Sequence, residues 1–415
     1  MKQTVTTAII GGGAAGLFLA TLLPVESGSV AVFERGSRVG RKLSATGNGQ
    51  GNISNLACES AEYFSSSKEG DGFAKRVIAR YNYPSLAAHM ERLGVLLLPD
   101  ERGRVYPTGK QASALTDALR FSAAERGVAV RLDTLITQIE KRGEYFLLRA
   151  KTAEGEREFF AENVVLCTGG KAAKNFGTDG SAYALAQSFS HTLTPLYPSL
   201  VQLKTDTKKI KTLKGIRVSP ARVTAAWWEN GKRKTHTLDG DILFTDYGVS
   251  GDVIFRLSAF FTDKLADGVT LSVRFLPAFS EEKIYETLVK KRALFPDTPF
   301  EELLGGIVNN QVGRAVLKTV PKEDLRAAAS AVCDFKLSVS GTLGFDYAQV
   351  TKGGVRLEEV DENLQSKKAK GLYFAGEILD IDGQCGGFNL QWAYASAACV
   401  AAAIGQKTQK ARGQV

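Results

Sequence analysis

Histidine is scarce in this chain. Only three are present, at 89, 191 and 236, too far apart in sequence to suggest a histidine metal centre. Cysteine is almost as sparse, with five, at 58, 167, 333, 385 and 399. No Cys-x-x-Cys and no metal-ligand spacing occurs, which argues against a dithiol relay and a structural metal. An odd count without a signal peptide points to free thiols in a reducing cytoplasm. No uncharged run approaches the about 18 apolar residues of a membrane span. Met1-Lys2-Gln3-Thr4 leads straight into an apolar strand, so no targeting segment is expected ahead of the fold. Internal repeats and low-complexity tracts are absent too.

What is present is an ordinary globular composition, 44% hydrophobic and 23% charged, over a length that implies two or three domains. Lys+Arg 53 minus Asp+Glu 44 leaves +9. The excess is dispersed, with local clusters at Lys367-Lys368-Ala369-Lys370 and at Lys407, Lys410 and Arg412. No basic motif is interleaved with aromatics, so the charge reads as solvated surface and attraction for anionic cofactors rather than as a nucleic-acid site.

The first thirty-four residues organise the rest. Thr4 to Ile10 reads as a buried strand, Gly11-Gly12-Gly13-Ala14-Ala15-Gly16 as a turn, and Leu17 to Leu23 as a helix. Val30 to Phe33 is a second strand that ends on Glu34. Strand, Gly-x-Gly-x-x-Gly, helix, strand and acid follow one another as a dinucleotide-binding βαβ unit requires. Gly11 allows the tight turn, Gly13 lets a pyrophosphate approach the backbone, and Gly16 lets the helix pack closely on the sheet. The helix N-terminus faces the phosphates with free N–H groups. Glu34 lies where an acid accepts hydrogen bonds from the adenosine ribose. The motif alone leaves NAD and FAD equally open. No second such turn follows a clear strand, so any nicotinamide must dock transiently.

Further along, Arg35 to Asn55 is rich in Gly and Asn and carries Arg41 and Lys42, which suits a loop cradling the cofactor at Gly47 and Asn48. Helices are expected over 71–94 and 110–127, and a strand over Val128–Leu132 brings the backbone near Val130 to the adenine. Residues 137–161 read as a small antiparallel meander. Asn163–Cys167 reads as a buried strand ending in Thr168-Gly169-Gly170. Beyond about 190 the segments Arg217–Trp228, Lys234–Leu238 and Val269–Phe275 have strand character. A helix is expected over Val253–Phe261. Ser280–Ala293 and Pro321–Val332 interrupt the β-rich part as helices, the first capped by Ser280. Near 340 the chain returns to its first character. Gly371 to Glu377 is a buried strand ending in Gly-acid, and Gly386-Gly387-Phe388-Asn389 opens a helix from about Gln391 to Ile404. Gly376 and Glu377 suit ribityl hydroxyls, and the helix N-terminus suits negative charge on a reduced ring, so this block favours a flavin. Lys42, Asp246, Tyr247 and His191 are candidates for proton handling, none backed by spacing, so the catalytic residues stay unassigned. Cys385 reads as a small buried hydrophobe, with a place near the ring as the alternative.

These residues resemble the YhiN/BaiN-like flavoproteins, described as NAD(P)/FAD-dependent or aminoacetone-oxidase-like oxidoreductases. The resemblance rests on Gly11–Gly16 with Glu34, on Lys42–Asn55, on Leu243–Gly251 and on Gly371–Leu390. It implies an α/β fold: a Rossmann-like FAD-binding domain built from both chain ends (1–190 and 341–415), an inserted β-rich, barrel-like domain (191–278 with 333–340) and a small helical subdomain (279–332). It implies FAD contacts at Gly11, Gly13, Ala14, Ala15, Gly16, Glu34, Arg35, Arg41, Lys42, Gly47, Asn48, Val130, Thr168, Gly169, Gly376, Glu377, Gly386, Gly387, Phe388 and Asn389. Two departures stand out. Gln50-Gly51 occupy places where the family has Arg-Cys, and Asp246 and Asp252 occupy places where it tends to have His and Pro. The expected function is an FAD-dependent oxidoreductase reduced by NAD(P)H or an organic substrate and reoxidised by a small molecule or oxygen. It is expected in the cytoplasm, with no membrane, metal or nucleic-acid partner. An RNA-associated or tRNA-modifying flavoprotein and a redox-sensing module with low turnover remain the alternatives.

Overall fold

A computed structural model describes residues 3–412. Met1, Lys2 and the side chains of Lys410 and Arg412 lie outside the described part, so of the basic tail only Lys407 is placed, with Nζ donating to Asn163 Oδ1 at 3.0 Å. The chain forms two compact units, residues 1–197 with 350–415, and residues 198–349.

The first unit is built on β1 (Gln3–Ile10), α1 (Ala14–Leu22), β2 (Val30–Phe33), α2 (Ala112–Glu125), β3 (Ala129–Arg131), β4 (Leu135–Arg142), β5 (Tyr145–Thr152), β6 (Gly155–Leu166), β7 (Leu372–Phe374) and α3 (Phe388–Arg412). The sheet order is β3-β2-β1-β6-β5-β4, with β7 also on β6. Ile9 stands between Val32 and Val165, and Val165 opposite Tyr373, all in parallel register. Inner parallel strands are covered on both faces, which is why β2 is the unbroken apolar run Val-Ala-Val-Phe, buried throughout. Helix α1 is buried from Ala15 to Thr21 and packs on α2 and α3, so it is apolar all round rather than along one stripe. The last strand, β7, reaches the sheet from the far end of the sequence. Both chain ends thus share one core that includes Ile9, Phe18, Val165, Phe374 and Trp392.

Several boundaries differ from the sequence reading. The helix expected over 71–94 is two helices, Gly70–Arg80 and Tyr83–Arg92. Asn82 caps the second by accepting from the Ser85 N–H at 3.3 Å, and Pro84 in its first turn has no N–H to carry a helix through. Residues 156–161 and 163–166 are one strand, β6, antiparallel to β5 at its start and parallel to β7 at its end. Helix α3 starts three residues earlier than Gln391 and runs well past Ile404.

The second unit is a closed barrel of six antiparallel strands: Leu203–Thr205, Gly248–Ser250, Lys232–Phe244, Arg217–Glu229, Val269–Arg274 and Phe335–Thr342. Its longest hairpin turns at Asn230-Gly231, both with positive φ, as a tight two-residue turn requires. Helices Glu281–Leu294, Asn310–Leu317 and Leu325–Cys333 lie between the last two strands in sequence. Ser280 caps the first as expected, accepting from the Lys283 N–H at 3.1 Å. The middle helix, capped by Asn309, escaped the sequence reading. Ile284, Leu288, Val312 and Val316 of these helices share a core with Val223, Leu271 and Val273 of the barrel. Among the described residues no helix is long and apolar enough to cross a membrane.

One buried side chain of the first unit makes stability depend on pH. His89 Nε2 lies 3.0 Å from Thr21 Oγ1, with its ring against Phe18 and Tyr394. Burial, helped by the Arg92 and Arg126 cations, lowers its pKa to about 4. The unfolded chain therefore takes up a proton first, near its ordinary value of about 6.5, and stability is lost as pH falls from there toward the folded value. Roughly 2 kcal/mol should be gone by about pH 5, and His89→Gln should lose less between about pH 7 and about pH 5 in urea melts.

Candidate functional site

The glycine turn between β1 and α1 is fixed by sterics at two points. Gly11 has φ +103°, and a Cβ on Gly16 would stand 2.0 Å from the Gly11 carbonyl oxygen, so helix and turn touch with no room for a side chain. Gly13 is the opposite case: a Cβ there would meet nothing within 4 Å. Gly13 is also the N-cap of α1 and offers no side-chain cap. The helix therefore presents its first N–H groups and the positive end of its dipole to open space.

Glu34 ties this turn to the end of β2. Its Oε2 accepts from the Gly12 N–H at 2.9 Å and its Oε1 from the Gly36 N–H at 2.7 Å, leaving further lone pairs on both oxygens. Val130 sits on β3 opposite Val32, at one edge of the sheet.

The two cations expected near the phosphates, Arg41 and Lys42, and the neighbouring Arg35 all have partners within the protein. Arg35 is bidentate on Asp179, both bonds at 3.0 Å, and reaches Ser181 Oγ at 3.1 Å. Although burial pushes the Asp179 carboxyl up, Arg35 and Ser181 more than offset it and hold the group well below the usual range. Arg41 donates to the Asn175 carbonyl at 2.8 Å. Lys42 Nζ pairs with Glu377 Oε2 at 2.8 Å and lies 3.5 Å from the Ala172 carbonyl. Together they strap residues 172–181 beside the turn.

Glu377 is the joint between the chain ends. Besides Lys42 it accepts, through Oε1, the Thr351 N–H at 2.9 Å. Thr351 Oγ1 in turn accepts from the Lys171 and Ala172 N–H groups at 2.8 and 2.9 Å. The neighbouring Gly376 comes so close to α1 that a Cβ there would be 2.9 Å from that of Ala15. Thr168 Oγ1, at the end of β6, is buried and has no hydrogen-bond partner among the described residues. Gly169 beside it has φ +68°.

At the opening of α3, the Gly386 carbonyl accepts from Asn55 Nδ2 at 3.0 Å, and Ser54 Oγ donates to Gln391 Oε1 at 2.6 Å. A Cβ on Gly387 would overlap the Ser54 carbonyl oxygen at 2.1 Å. Phe388 meets Tyr63 edge-on. Asn389 turns back into its own loop, bonding the N–H and carbonyl of Gly383 and the Gln384 carbonyl. Gly47 and Asn48 both adopt left-handed backbone, with Gly47 against the Tyr106 ring. Gly51, where the resembling family has cysteine, has φ +77° and lies under α2. A Cβ there would be 2.8 Å from Leu115 Cδ1 and 2.9 Å from Ala112 Cα, so this chain has no room for a thiol at that place.

The proton-handling candidates are divided between the two units, Lys42 and His191 in the first and Asp246 and Tyr247 in the second. His191 is buried, with Nδ1 2.9 Å from Glu359 Oε2 and Nε2 2.7 Å from Ser366 Oγ. Burial lowers its pKa, against Glu359, and both ring nitrogens are occupied. Asp246 belongs to the barrel unit, exposed and paired with Lys214 at 2.7 Å, which holds its carboxyl below the ordinary value. Tyr247 belongs to that unit too. The sequence reading missed Thr351, Ser54 and Asn55. Their only sequence signal is position, Thr351 just before Gly353-Gly354 and Ser54-Asn55 closing the Gly-Asn segment.

A mixed sheet whose strands around this turn are parallel, an acid at the end of β2 and a returning Gly-Glu strand together define a dinucleotide-binding flavoenzyme. The chain belongs to the HI0933-like family, whose profile, described as "HI0933-like protein Rossmann domain", matches residues 5–403. It is 34% identical over 407 residues to the 3-dehydro-bile acid delta(4,6)-reductase of Clostridium scindens, covering 94% of this chain and 96% of that protein. It is 28% identical to the ribosomal RNA dihydrouridine synthases of Haemophilus influenzae, covering 98% of this chain and 100% of that one, and of Escherichia coli, covering 96% and 98%. The protein is an FAD-dependent oxidoreductase, as the sequence reading expected.

The residues present fit FAD. The open space at Gly13, the uncapped start of α1 and the unpartnered Thr168 hydroxyl are a donor set waiting for a polar ligand. Thr168→Val should therefore act with opposite signs. Removing a buried hydroxyl that lacks a partner should leave the apo-protein as stable or about 1 kcal/mol more stable, while FAD binds about tenfold more weakly. Thermal melts of apo-protein and a fluorescence titration with FAD check the two halves.

Proposed function

We propose that this enzyme reduces a carbon–carbon double bond conjugated to a carbonyl, with NAD(P)H as the electron source. The observation that supports this reading is the closeness of Gly376 to α1, where a Cβ on Gly376 would stand 2.9 Å from that of Ala15, so the glycine turn and the end of β7 are neighbours. Glu34 and the β3 backbone near Val130 would hold the adenosine. The N-terminus of α1, from Gly13 to Gly16, would take the pyrophosphate, with Thr168, Gly169, Gly47 and Asn48 beside it. Glu377 would hold the ribityl chain, oriented by Lys42 and Thr351. Gly386, Gly387 and Phe388 would lie against the ring, with Asn389 fixing their loop. Arg35 and Arg41 would act through the 172–181 segment rather than by touching phosphate.

Bound there, FAD supplies two-electron hydride-transfer chemistry. The acceptor class is supported by what the relatives' names share. A 3-oxo group conjugated to double bonds at positions 4 and 6, and the uracil double bond that dihydrouridine lacks, are both alkenes in conjugation with a carbonyl. Saturating either takes a hydride at one carbon and a proton at its neighbour. The N-terminus of α3 would favour negative charge on a ring held there.

The test is anaerobic. FAD-loaded protein is mixed with NADH, then NADPH, and the bleached flavin is offered cyclohexenone. Bleaching by a nicotinamide and return of colour with one equivalent of saturated ketone supports the reading. A flavin that no nicotinamide bleaches and no enone reoxidises would favour a sensing module. A second reading, reduction of a uracil in RNA, has the support of the dihydrouridine synthases, and recolouring by an RNA transcript but by no enone would select it.

A further inference from the structure

The loop from Gly376 to Asn389 begins and ends on residues assigned above to the cofactor, Gly376 and Glu377 at one end and Gly386 to Asn389 at the other. Its middle holds a carboxyl with no role so far. Asp380 is fully buried. Its Oδ2 accepts from the Ser66 N–H at 3.0 Å and from Ser65 Oγ at 3.1 Å. Its Oδ1 has no hydrogen-bond partner among the described residues. Thr194 Oγ1 is nearby but donates to the Gly354 carbonyl at 3.3 Å. The two oxygens therefore pull in opposite directions. Oδ2 is furnished for the anion, while a buried, unmatched Oδ1 favours the acid. A group balanced in this way is tipped by a charge arriving close to it.

A complementary group stands close by. Tyr183, on the helix Tyr183–Gln187, is 4% exposed, and its hydroxyl also has no partner among the described residues. Burial raises its pKa, and the Glu377 and Asp380 carboxylates raise it further, so both acids lie within electrostatic reach of the phenol. The other charges around Asp380 do not hold it ionised. Glu377 is neutralised by Lys42 at 2.8 Å. Glu358, on the turn Leu357–Glu359, is exposed and kept charged by the Ser67 hydroxyl. Lys352 is the buried cation of this region. Its strand, Val350–Lys352, packs on Asp382–Gly383, and its Nζ lies 4.8 Å from the Phe64 ring centre, which puts that cation on the strand facing Asp382. Burial pushes the Asp380 carboxyl up, the donors at Ser66, Ser65 and Thr194 offset only part of that, and Glu358 adds to it.

We propose that Asp380 takes up a proton from solvent each time the bound flavin is reduced and releases it on reoxidation, with Tyr183 as its hydrogen-bond partner. Hydride from an organic donor brings two electrons and one proton to the flavin and leaves one negative charge there. The Asp380 carboxylate and one solvent proton become the neutral acid, so the net charge of the site is the same before and after. A unit charge placed across about 10 Å of buried protein changes a neighbouring equilibrium about tenfold. By linkage, the proton favours the reduced flavin by the same factor as the reduced flavin favours the proton. The partly exposed Ser65–Ser67 segment gives the proton its way in from solvent. The inference rests on the cofactor placement proposed above and not on the acceptor, so it holds for an enone and for a uracil alike.

The experiment compares full-length FAD-loaded protein with its Asp380→Asn variant, which keeps the shape of the side chain and cannot titrate. The flavin midpoint potential is measured against reference dyes across neutral pH, and the protons consumed on anaerobic reduction are counted with a pH indicator. The parent should take up one proton more per flavin than the variant. Its reduction equilibrium should change by an extra factor of about ten per pH unit, about 30 mV for a two-electron couple. At the alkaline end the variant, lacking the carboxylate, should be about tenfold easier to reduce, and the two should converge at the acid end. The reduced-minus-oxidised infrared spectrum of the parent should show a protonated carboxyl that Asp380→Asn lacks. Tyr183→Phe should shift that band, which assigns it even if Asp380→Asn fails to hold FAD. Equal proton counts in parent and Asp380→Asn overturn the inference. So does a parent spectrum without a protonated carboxyl, or a band that Tyr183→Phe leaves unshifted. The extra proton in a flavin that no enone reoxidises upholds the inference and rejects the enone reading. Reduction of cyclohexenone with equal proton counts does the reverse.

Discussion

Gly13→Asp should give a folded, colourless protein. No atom lies within 4 Å of the Cβ position at Gly13, so the apo-protein loses no packing. The carboxylate would enter the space facing the uncapped start of α1 and repel a diphosphate there. Loss of FAD affinity by at least about a hundredfold, roughly 2.7 kcal/mol, is expected. FAD should correspondingly stop raising the melting temperature. Gly16→Val makes the contrast, since its Cβ would collide with the Gly11 carbonyl. That variant should lower the melting temperature of the apo-protein itself. Calorimetry of both variants, with and without FAD, separates loss of the ligand from loss of the fold.

Glu377→Ala has the second large expected effect. Its carboxylate is partly buried, accepts the Thr351 N–H and pairs with Lys42. Truncation leaves a half-buried ammonium and a backbone N–H without their acceptor. A stability loss of about 2–3 kcal/mol is expected, because leaving such groups unpaired costs more than the pair itself is worth. Lys42→Met should cost less alone, and the double variant less than the sum, since the second change removes the stranded charge. FAD affinity should fall in Glu377→Ala whether or not Lys42 is present. Urea melts of the four proteins in the cycle, with FAD titrations alongside, read both terms.

The βαβ unit was legible because its signals are local. Glycine spacing, two apolar strands and an acid at the end of the second all lie within thirty-four residues, and the steric reasons for Gly11 and Gly16 are intrinsic to the turn. The returning Gly376-Glu377 strand was legible for the same reason. The roles of the cations were not. Arg41 and Lys42 were expected near the phosphates and Arg35 among the cofactor contacts; their protein partners Asn175, Glu377 and Asp179 lie 134, 335 and 144 residues away and come near only through the fold. His191, one of four unassigned proton-handling candidates, has both ring nitrogens bonded by Glu359 and Ser366, residues remote in sequence. The two helices of 70–92 were merged because a helical period passes through Pro84 unmarked unless Asn82 is recognised as a cap. Asn389, expected among the cofactor contacts, braces its own loop through Gly383 and Gln384, a role that only the fold reveals.

Whether this chain holds a flavin at the Gly13 end of α1 is open to direct measurement. The measurement is the visible absorption spectrum of the purified protein, repeated after incubation with FAD and removal of the excess, for the parent and for Gly13→Asp. A yellow parent with about one FAD per chain and a colourless, equally folded Gly13→Asp protein is the result expected. A parent that stays colourless and leaves the fluorescence of added FAD unquenched would contradict it, as would a Gly13→Asp protein that retains its flavin.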